Sequence, residues 1–359
     1  MSSPFASPSH VGSSAISAVH CVNASTKTRS KNSSSGVTVS ASRMTGEMRR
    51  ARPAAAPDMA AILAGRFARV TRRSLTPEQG RLLVSCPDRP GIIAAVSRFL
   101  SDQGANIIES DQYSTDPVGG SFFLRTVFHR SGLQAVRHDL QQQFAEEVGQ
   151  PFAMDWRFTD PGLPKRAALM VSREDHCLVD LLWRARRDEL DLDVGLVISN
   201  HPDLAPDVRA FGVPFVHIPV TRDTKAEAER RQVELLAGNF DLVVMARYMQ
   251  ILSASFLEAV AVPVINIHHS FLPAFAGAGP YKRAHDRGVK LIGATAHYAT
   301  EELDEGPIIE QDVVRASHRD SAEALQRRGA DVERTVLARA VQWHCEDRVV
   351  RDGERTIVF

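Results

Sequence analysis

Short runs of apolar residues alternate with longer amphipathic stretches through the second half of the chain. The runs cover residues 167–171, 192–198, 215–218, 242–246 and 264–267. Continuous apolar strands separated by helices are typical of a parallel sheet that is covered on both faces. The pattern therefore predicts an α/β domain with an open, mostly parallel, Rossmann-like sheet over residues 167–359. In such folds ligands bind beyond the carboxyl ends of the strands, where the strand order reverses.

A second, smaller domain is predicted between residues 80 and 160. Its first helix is marked by an apolar stripe at helical spacing, formed by Ile92, Ile93, Val96, Phe99 and Leu100. The order of elements is β-α-β-β-α-β, which indicates a ferredoxin-like domain. The predicted strands are residues 81–87, 106–115, 121–129 and 152–158, and the helices begin at residues 92 and 133. Prolines and a glycine within residues 161–166 predict a linker between the two domains.

The first 76 residues predict a targeting segment. Residues 1–47 are rich in Ser and contain one acid, Glu47. Residues 48–73 carry seven Arg and an apolar set at helical spacing: Met59, Ile62, Leu63, Phe67 and Val70. Organelle import machinery recognises such Arg-rich, acid-poor amphipathic N-termini. We expect import into the mitochondrion, with the plastid as the alternative, and a disordered tail without a destination is the other interpretation.

Composition and charge narrow the class of partner. The 43 basic and 43 acidic side chains cancel, so no net field attracts nucleic acid or an anionic membrane surface. No apolar stretch approaches the roughly 18 to 20 residues that cross a bilayer. The four cysteines are widely spaced and form no zinc motif. We expect a soluble protein from a reducing compartment whose partner is a small molecule, with neither nucleic acid nor a membrane involved.

Two polar segments that follow strands carry the candidate chemistry. Side chains alternate along an extended strand, so Asn266 and His268 in VINIHH share one face and His269 takes the other. In the segment LIGATAHYATEELDEGPII, His297 lies on a strand and Asp304 lies in a turn that can return toward His268. Neither segment offers a serine in a nucleophile elbow or a nearby cysteine, which favours direct attack by water. The histidines lack metal-ligand spacing, so we expect no metal and no cofactor.

These segments resemble the signature of a known family. NIHHSFLP followed by AHY and LDEGPII is similar to the formyltransferase fold that acts on 10-formyltetrahydrofolate, over most of residues 166–359. The resemblance implies that Asn266, His268 and Asp304 do the chemistry. Physically, an Asn amide and a hydrogen-donating His stabilise the oxyanion of a tetrahedral carbon. Asp304 orients the imidazole and accepts a proton, directly or through water.

The segment ARYMQIL, residues 246–252, resembles the folate-binding segment of that family. The resemblance implies that main-chain groups meet the pterin ring and that a set of side chains binds substrate: Met249, Gln250, Ile251, Leu252 and His297. The family motif carries Arg where this chain has Gln250, and GAGPY has Gly279 where a basic or amide residue is usual. Core packing is the alternative role for the apolar members of the set.

The acceptor of the formyl group depends on the segment SREDHCL, which follows the first strand of the larger domain. A ribonucleotide acceptor needs a glycine-rich phosphate cradle there, whereas this chain has Glu174 and Asp175. A tRNA acceptor needs a further basic domain, for which we expect no room. The segment resembles the deformylase branch, which implies hydrolysis of 10-formyltetrahydrofolate to formate and tetrahydrofolate. This reaction balances one-carbon folate pools and supplies formate for purine synthesis. The alternatives are a formyltransferase to an amine and a non-catalytic amino-acid or folate sensor.

The motifs DRPGI and GANI, around the first helix of the small domain, resemble the ACT domain. This family usually binds a small amino acid, and the resemblance implies effector contacts at Asp88, Gly91 and Asn106. ACT-like domains also pair through their sheets, so we expect a homo-oligomer. A domain that only joins subunits is the alternative.

Overall fold

The computed structural model describes residues 78–273 and 280–359. The predicted targeting segment and Gly279 lie outside the described residues. Within the described residues, no helix is both long and apolar enough to span a membrane.

The small domain is a four-stranded antiparallel sheet with helices on one face, as predicted. The strand order is β2-β3-β1-β4. The helices bury an apolar stripe against the sheet, including Val96, Phe99 and Phe144, whereas Ile93 of the predicted stripe is exposed. The elements are β1 Gln79–Pro87, α1 Ile92–Asp102, β2 Asn106–Ser114, β3 Ser121–His129, α2 Leu133–Phe144 and β4 Asp155–Thr159.

The predicted start of the fourth strand is wrong by three residues. Helix α2 continues as a π turn over Ala145–Gly149, and the chain then passes through a left-handed residue, Ala153 (φ 51°). The turn through residues 152–154 uses residues that the apolar pattern assigned to an extended strand. The π turn brings Gly149 against Trp156, where a Cβ would meet the indole ring.

The larger domain has a seven-stranded, mostly parallel sheet with helices on both faces, which confirms the predicted fold class. The strand order is β11-β10-β9-β8-β5-β6-β7; β5 to β9 are parallel, and β10 and β11 run antiparallel to their neighbours. The strands are β5 Lys165–Val171, β6 Leu192–Ser199, β7 Phe215–His217, β8 Leu242–Met245, β9 Val264–His268, β10 Leu291–Tyr298 and β11 Ile308–Arg315. The helices are α3 His176–Arg186, α4 Ala205–Ala210, α5 Lys225–Leu236, α6 Ala254–Val260, α7 Pro280–Arg287 and α8 Ala322–Cys345, and a hairpin follows with β12 Val349–Asp352 and β13 Arg355–Val358.

The strand order reverses at β5, because β6 and β7 lie on one side of it and β8 and β9 on the other. Two apolar cores cover the two faces of the sheet. Polar residues that follow β5, β8 and β9 therefore meet at one edge, where α/β folds bind ligands. Lys165 and Arg166, which the sequence pattern placed in the linker, are the first residues of β5.

A buried carboxylate joins the two domains. Asp347, just after α8, is 3% exposed and lies 2.7 Å from Lys165 Nζ and 3.2 Å from Arg81 Nη1 of the small domain. Its Oδ2 also accepts a hydrogen bond from Thr159. Burial by itself raises the pKa of Asp347, but Lys165, Thr159 and Arg81 outweigh it and hold the pKa below its usual range.

We expect Asp347→Asn to destabilise the chain by about 3 kcal/mol, because the buried Arg81 and the partly buried Lys165 lose their nearest carboxylate. Asn tolerates the left-handed backbone at this position (φ 52°), so the change removes charge without adding strain. Urea unfolding at pH 7 measures the loss. Because the folded pKa is lowered, the difference from wild type persists above about pH 4 and closes as pH falls through the folded pKa. The exposed Asp331→Asn is the control, with an expected loss under about 1 kcal/mol; equal losses in the two variants would contradict the prediction.

Candidate active site

A cavity of about 240 Å³ lies at this edge of the larger sheet. Three segments line it: the residues after β8, the end of β9, and the end of β10 with the loop that follows. These are the segments in which the sequence placed the candidate chemistry. All eight predicted catalytic and substrate residues border the cavity: Met249, Gln250, Ile251, Leu252, Asn266, His268, His297 and Asp304.

Strand register fixes the position of Asn266. Asn266 of β9 is paired with His297 of β10, and Asn266 Nδ2 lies 3.2 Å from His297 Nε2. His297 Nδ1 lies 2.9 Å from the carbonyl oxygen of Tyr298, which can only accept a hydrogen bond. His297 therefore carries its proton on Nδ1, and Nε2 accepts from the Asn266 amide. Burial lowers the pKa of His297, which favours this neutral ring.

The same contacts change the role expected of His297. Its ring is 2% exposed, and both nitrogens are engaged by Asn266 and Tyr298. No ring nitrogen is left for a substrate contact. The structure thus shows His297 orienting the Asn266 amide from the wall of the cavity.

His268 and Asp304 form the second polar pair. His268 Nδ1 lies 3.1 Å from Asp304 Oδ2, which is hydrogen-bonding distance, and His268 Nε2 is buried without a hydrogen-bond partner. The turn brings the carboxylate back, as the sequence predicted. Gly306 allows this return, since a Cβ there would overlap the Tyr298 carbonyl.

Electrostatics keep the carboxylate ionised. Burial by itself raises the pKa of Asp304, but the hydrogen bond and the charge of His268, with a smaller contribution from His297, lower it below its ordinary value. His268 thus has a permanent hydrogen-bond acceptor at Nδ1. This arrangement fixes the ring orientation and leaves Nε2 for the reacting groups.

His269 does not face away from the cavity, as strand alternation predicted. It borders the cavity, and its ring centroid lies 5.2 Å from that of His268 and 6.3 Å from that of Tyr281. Strand β9 ends at His268, so the alternation of an extended chain no longer applies to the next residue. Burial, with a smaller effect of the Arg247 charge, lowers the pKa of His269 to about 4.

The predicted folate segment presents apolar surface to the cavity. Met249 and Ile251 are each 54% exposed, although both are large apolar side chains, whereas Leu252 is buried. The backbone N–H of Met249 donates to Ser172 Oγ at 2.9 Å. The N–H of Met249 is therefore unavailable to a ligand, whereas the exposed side chains of Met249 and Ile251 are free to make contact.

A buried ionic cluster behind the cavity was not predicted. Glu333 of α8 is 1% exposed; it lies 2.7 Å from His176 Nε2 and 3.4 Å from Arg247 Nε, and it accepts a hydrogen bond from Tyr281. His176, Cys177 and Glu333 are close enough to share a cation. Arg247 already supplies positive charge there, and burial raises the pKa of the Cys177 thiol well above its usual range. Both features oppose cation binding, so we interpret the cluster as an ion-pair network.

The three predicted effector residues do not form one site within the chain. Asp88 follows the end of β1 that pairs with Ser121, and Asn106 pairs with His129 at the other end of β3. Eight residues of extended strand separate those ends by roughly 26 Å. Gly91 lies near Asp88, where its left-handed backbone (φ 98°) opens α1.

Two histidines of the larger domain make its stability depend on pH. The pKa of His269 is lowered to about 4 and that of His344 to about 3, both chiefly by burial. The pKa of a histidine in the unfolded chain is near 6.5, so below this pH the unfolded chain binds protons that the buried rings of the folded chain do not. The free energy of unfolding therefore decreases as the pH decreases. We expect the free energy of unfolding to drop by about 2 kcal/mol per ring between pH 7 and 5. Urea unfolding at both pH values checks this: His344→Gln should reduce the drop by about 2 kcal/mol, and a flat profile in wild type would contradict the prediction.

Comparisons with known proteins agree with this architecture. The formyl transferase family model matches residues 165–341, and the ACT domain model matches residues 80–145. A glycinamide ribonucleotide transformylase from Symbiobacterium toebii aligns with a TM-score of 0.52 at 31% identity, over 55% of this chain and 95% of that chain. The larger domain is therefore a formyl transferase domain, preceded by an ACT domain.

Full-length relatives define the family more narrowly. A formyltetrahydrofolate deformylase of Mycobacterium tuberculosis is 65% identical over 280 residues, covering 78% of this chain and 90% of the relative. The crystal structure of a formyltetrahydrofolate deformylase from Pseudomonas syringae aligns with a TM-score of 0.74 at 49% identity, over 79% of this chain and 95% of that chain. The chain belongs to the formyltetrahydrofolate deformylase family.

Proposed function

We propose that this chain hydrolyses 10-formyltetrahydrofolate to formate and tetrahydrofolate. The observation that carries the proposal is the His268–Asp304 contact of 3.1 Å beside the oriented Asn266 amide in one cavity. Membership of the deformylase family gives the substrate, since relatives at 65% identity are named formyltetrahydrofolate deformylases.

The reaction needs one bond formed and one broken. The oxygen of water attacks the formyl carbon and gives a tetrahedral centre with a negatively charged oxygen. The bond between that carbon and N10 of the folate then breaks, and N10 takes a proton. The products are tetrahydrofolate and formic acid, which ionises to formate. No electrons enter or leave, so the balance requires no redox partner.

Each of the three side chains has a role in this sequence. Asn266 has an amide proton beyond the one given to His297, and it stabilises the developing negative oxygen. His268 Nε2, buried and without a partner, moves the proton between water and N10. Asp304 holds Nδ1–H and stabilises the imidazolium that forms when the ring is protonated.

We propose that the pterin and its neighbouring ring pack on Met249 and Ile251, whose exposed apolar surfaces face the cavity. Burying two such side chains against a flat ring system contributes binding energy through the hydrophobic effect. Gln250 adds a neutral amide at the same wall.

We also propose that the reaction uses no metal or other cofactor. Asn266 and His268 provide the oxyanion donor and the proton-transfer group, which are the tasks that a metal ion performs in other hydrolases. Formate release by protein dialysed against a chelator is therefore expected to equal that of untreated protein. A loss that added zinc restores would contradict this part of the proposal.

The assay for the proposed activity measures both products and tests the alternatives. Purified chain with 10-formyltetrahydrofolate should release formate and tetrahydrofolate in equal amounts, without any added amine. A formyltransferase would release product only when an amine is supplied. A non-catalytic sensor would bind the folate and release no formate above the rate in buffer.

The cellular setting is proposed from the remaining sequence. We propose that residues 1–76 direct the chain to the mitochondrion, or alternatively to the plastid, where it balances folate pools and supplies formate for purine synthesis. A fluorescent protein fused to residues 1–76 should enter the organelle, and diffuse fluorescence would contradict this.

Regulation is proposed to act through paired ACT domains. Asp88 and Asn106 are at opposite ends of β3, so an amino-acid site containing both needs two copies of the chain. The proposal is a homo-oligomer in which a small amino acid binds at the interface between two ACT domains. Light scattering should give a mass above that of one chain, and a monomer at working concentration would contradict it.

A further inference from the structure

We propose that Arg247, held by Glu333, makes water rather than an amine the acceptor of the formyl group. The inference rests on the proposed function and concerns the same cavity. Arg247 borders this cavity but is not one of the three residues that carry the reaction, and its proposed role is to determine the acceptor.

Arg247 is held in an unfavourable backbone conformation. It lies two residues after the end of β8 and has φ 65°, a region in which a non-glycine residue costs about 1–3 kcal/mol. Glycine would adopt this conformation without that cost. Such strain persists where the surrounding structure enforces it, and here the backbone is fixed by the Ser172 N–H, which donates to the Arg247 carbonyl at 3.1 Å. Retention of Arg at a strained position therefore indicates a role for its side chain.

The side chain is enclosed and incompletely paired. Arg247 is 10% exposed, and its Nε and Nη1 atoms are buried without hydrogen-bond partners, although Nε lies 3.4 Å from Glu333 Oε2. Glu333 is itself held by His176 and Tyr281. These contacts, despite burial, keep the pKa of Glu333 below its ordinary value, so the carboxylate stays ionised and anchors the guanidinium.

Arg247 is also one of the residues that line the cavity. It borders the cavity together with His268 and His269, whereas Glu333 and His176 lie behind it and do not reach the cavity. The charge of Arg247 acts on His269, next to the catalytic His268, so the guanidinium lies close to the end of β9.

The chemistry of the guanidinium separates water from amines. Arg offers five N–H donors and no acceptor. A water molecule has two lone pairs, so it can accept a hydrogen bond from Arg247 with one and attack the formyl carbon with the other. A neutral amine has one lone pair, and a hydrogen bond from Arg247 would consume the electrons that must form the new bond. Its N–H groups would in turn find no acceptor on the guanidinium, which costs binding energy.

The test measures how the formyl group is partitioned between water and trifluoroethylamine, a small, weakly basic amine that is unprotonated at neutral pH and whose single nitrogen lone pair is its only good hydrogen-bond acceptor. Transfer to it forms a C–N bond, breaks the bond to N10 and gives N10 the proton. We expect wild type to yield formate almost entirely. In Arg247→Gly, which suits the left-handed backbone, the ratio of N-formyl trifluoroethylamine to formate should rise by about 10-fold or more. Arg247→Lys keeps a donor without an acceptor, so its ratio should stay near that of wild type.

Met249→Ala is the control, because it enlarges the cavity at the folate wall; it should lower the rate and leave the ratio unchanged. If Arg247→Gly does not fold, the double variant Arg247→Gln with Glu333→Gln keeps a neutral contact and adds an amide acceptor, and it must show the same rise. An unchanged ratio in a folded variant overturns the inference while hydrolysis by wild type stands. Absence of formate from wild type would instead overturn the proposed function.

Discussion

Asp304→Asn is expected to lower kcat for formate release by about 10⁴-fold, the effect seen when a carboxylate that orients a catalytic imidazole becomes an amide. The carboxylate accepts the Nδ1 proton of His268 at 3.1 Å. An Asn amide can present an N–H to Nδ1 instead, which favours the opposite tautomer and removes the negative charge that stabilises imidazolium. The backbone at this residue has φ 60°, which Asn tolerates, so the fold should be kept.

Steady-state kinetics with 10-formyltetrahydrofolate measure the effect. The neighbouring Glu305→Gln is the control, since Glu305 is exposed and outside the cavity lining. Its rate should stay within about twofold of wild type. Turnover by Asp304→Asn within about 10-fold of wild type would contradict the proposed role of this carboxylate, because reorientation of the ring could not then matter to the rate.

Asn266→Ala is expected to lower kcat by about 10²- to 10³-fold with a much smaller change in KM. The amide donor acts on charge that appears only in the transition state, so its loss affects kcat and kcat/KM together. The variant retains the β9–β10 pairing, in which Asn266 takes part through its backbone.

The division between kcat and KM is the internal control for Asn266→Ala. A rise in KM at unchanged kcat would show that the amide binds the ground state of the substrate. The variant should lose about 1–3 kcal/mol in the free energy of unfolding, because the buried His297 Nε2 loses its hydrogen-bond partner, and it should remain folded under the conditions of the assay.

The sequence predicted the sheet of the larger domain because its parallel strands are buried on both faces. A strand such as Leu242–Met245 is fully buried, so its residues form an unbroken apolar run. Strand β11 is different: it lies at the sheet edge, and most of its residues are partly or fully exposed. Its mixed composition carries little signal, and no strand was predicted there.

The candidate site was predictable only where residues are close in sequence. Alternation along one strand placed Asn266 and His268 together, and the turn after the next strand, with the family resemblance, indicated Asp304. Alternation failed at His269 because the strand ends one residue earlier. Glu333 lies on the 24-residue helix α8, where a single acid normally indicates a solvated surface. Its burial depends on Arg247, His176 and Tyr281, which come from three other segments, so local pattern could not reveal it.

Hydrolysis in water enriched with ¹⁸O tests the central claim most directly. If water attacks the formyl carbon in the cavity formed by Asn266, His268 and Asp304, each formate released by wild type carries one ¹⁸O atom. Asp304→Asn should release labelled formate at a rate lower by the factor given above. Unlabelled formate, or recovery of the formyl group on an amine with no formate released, would contradict hydrolysis by this site.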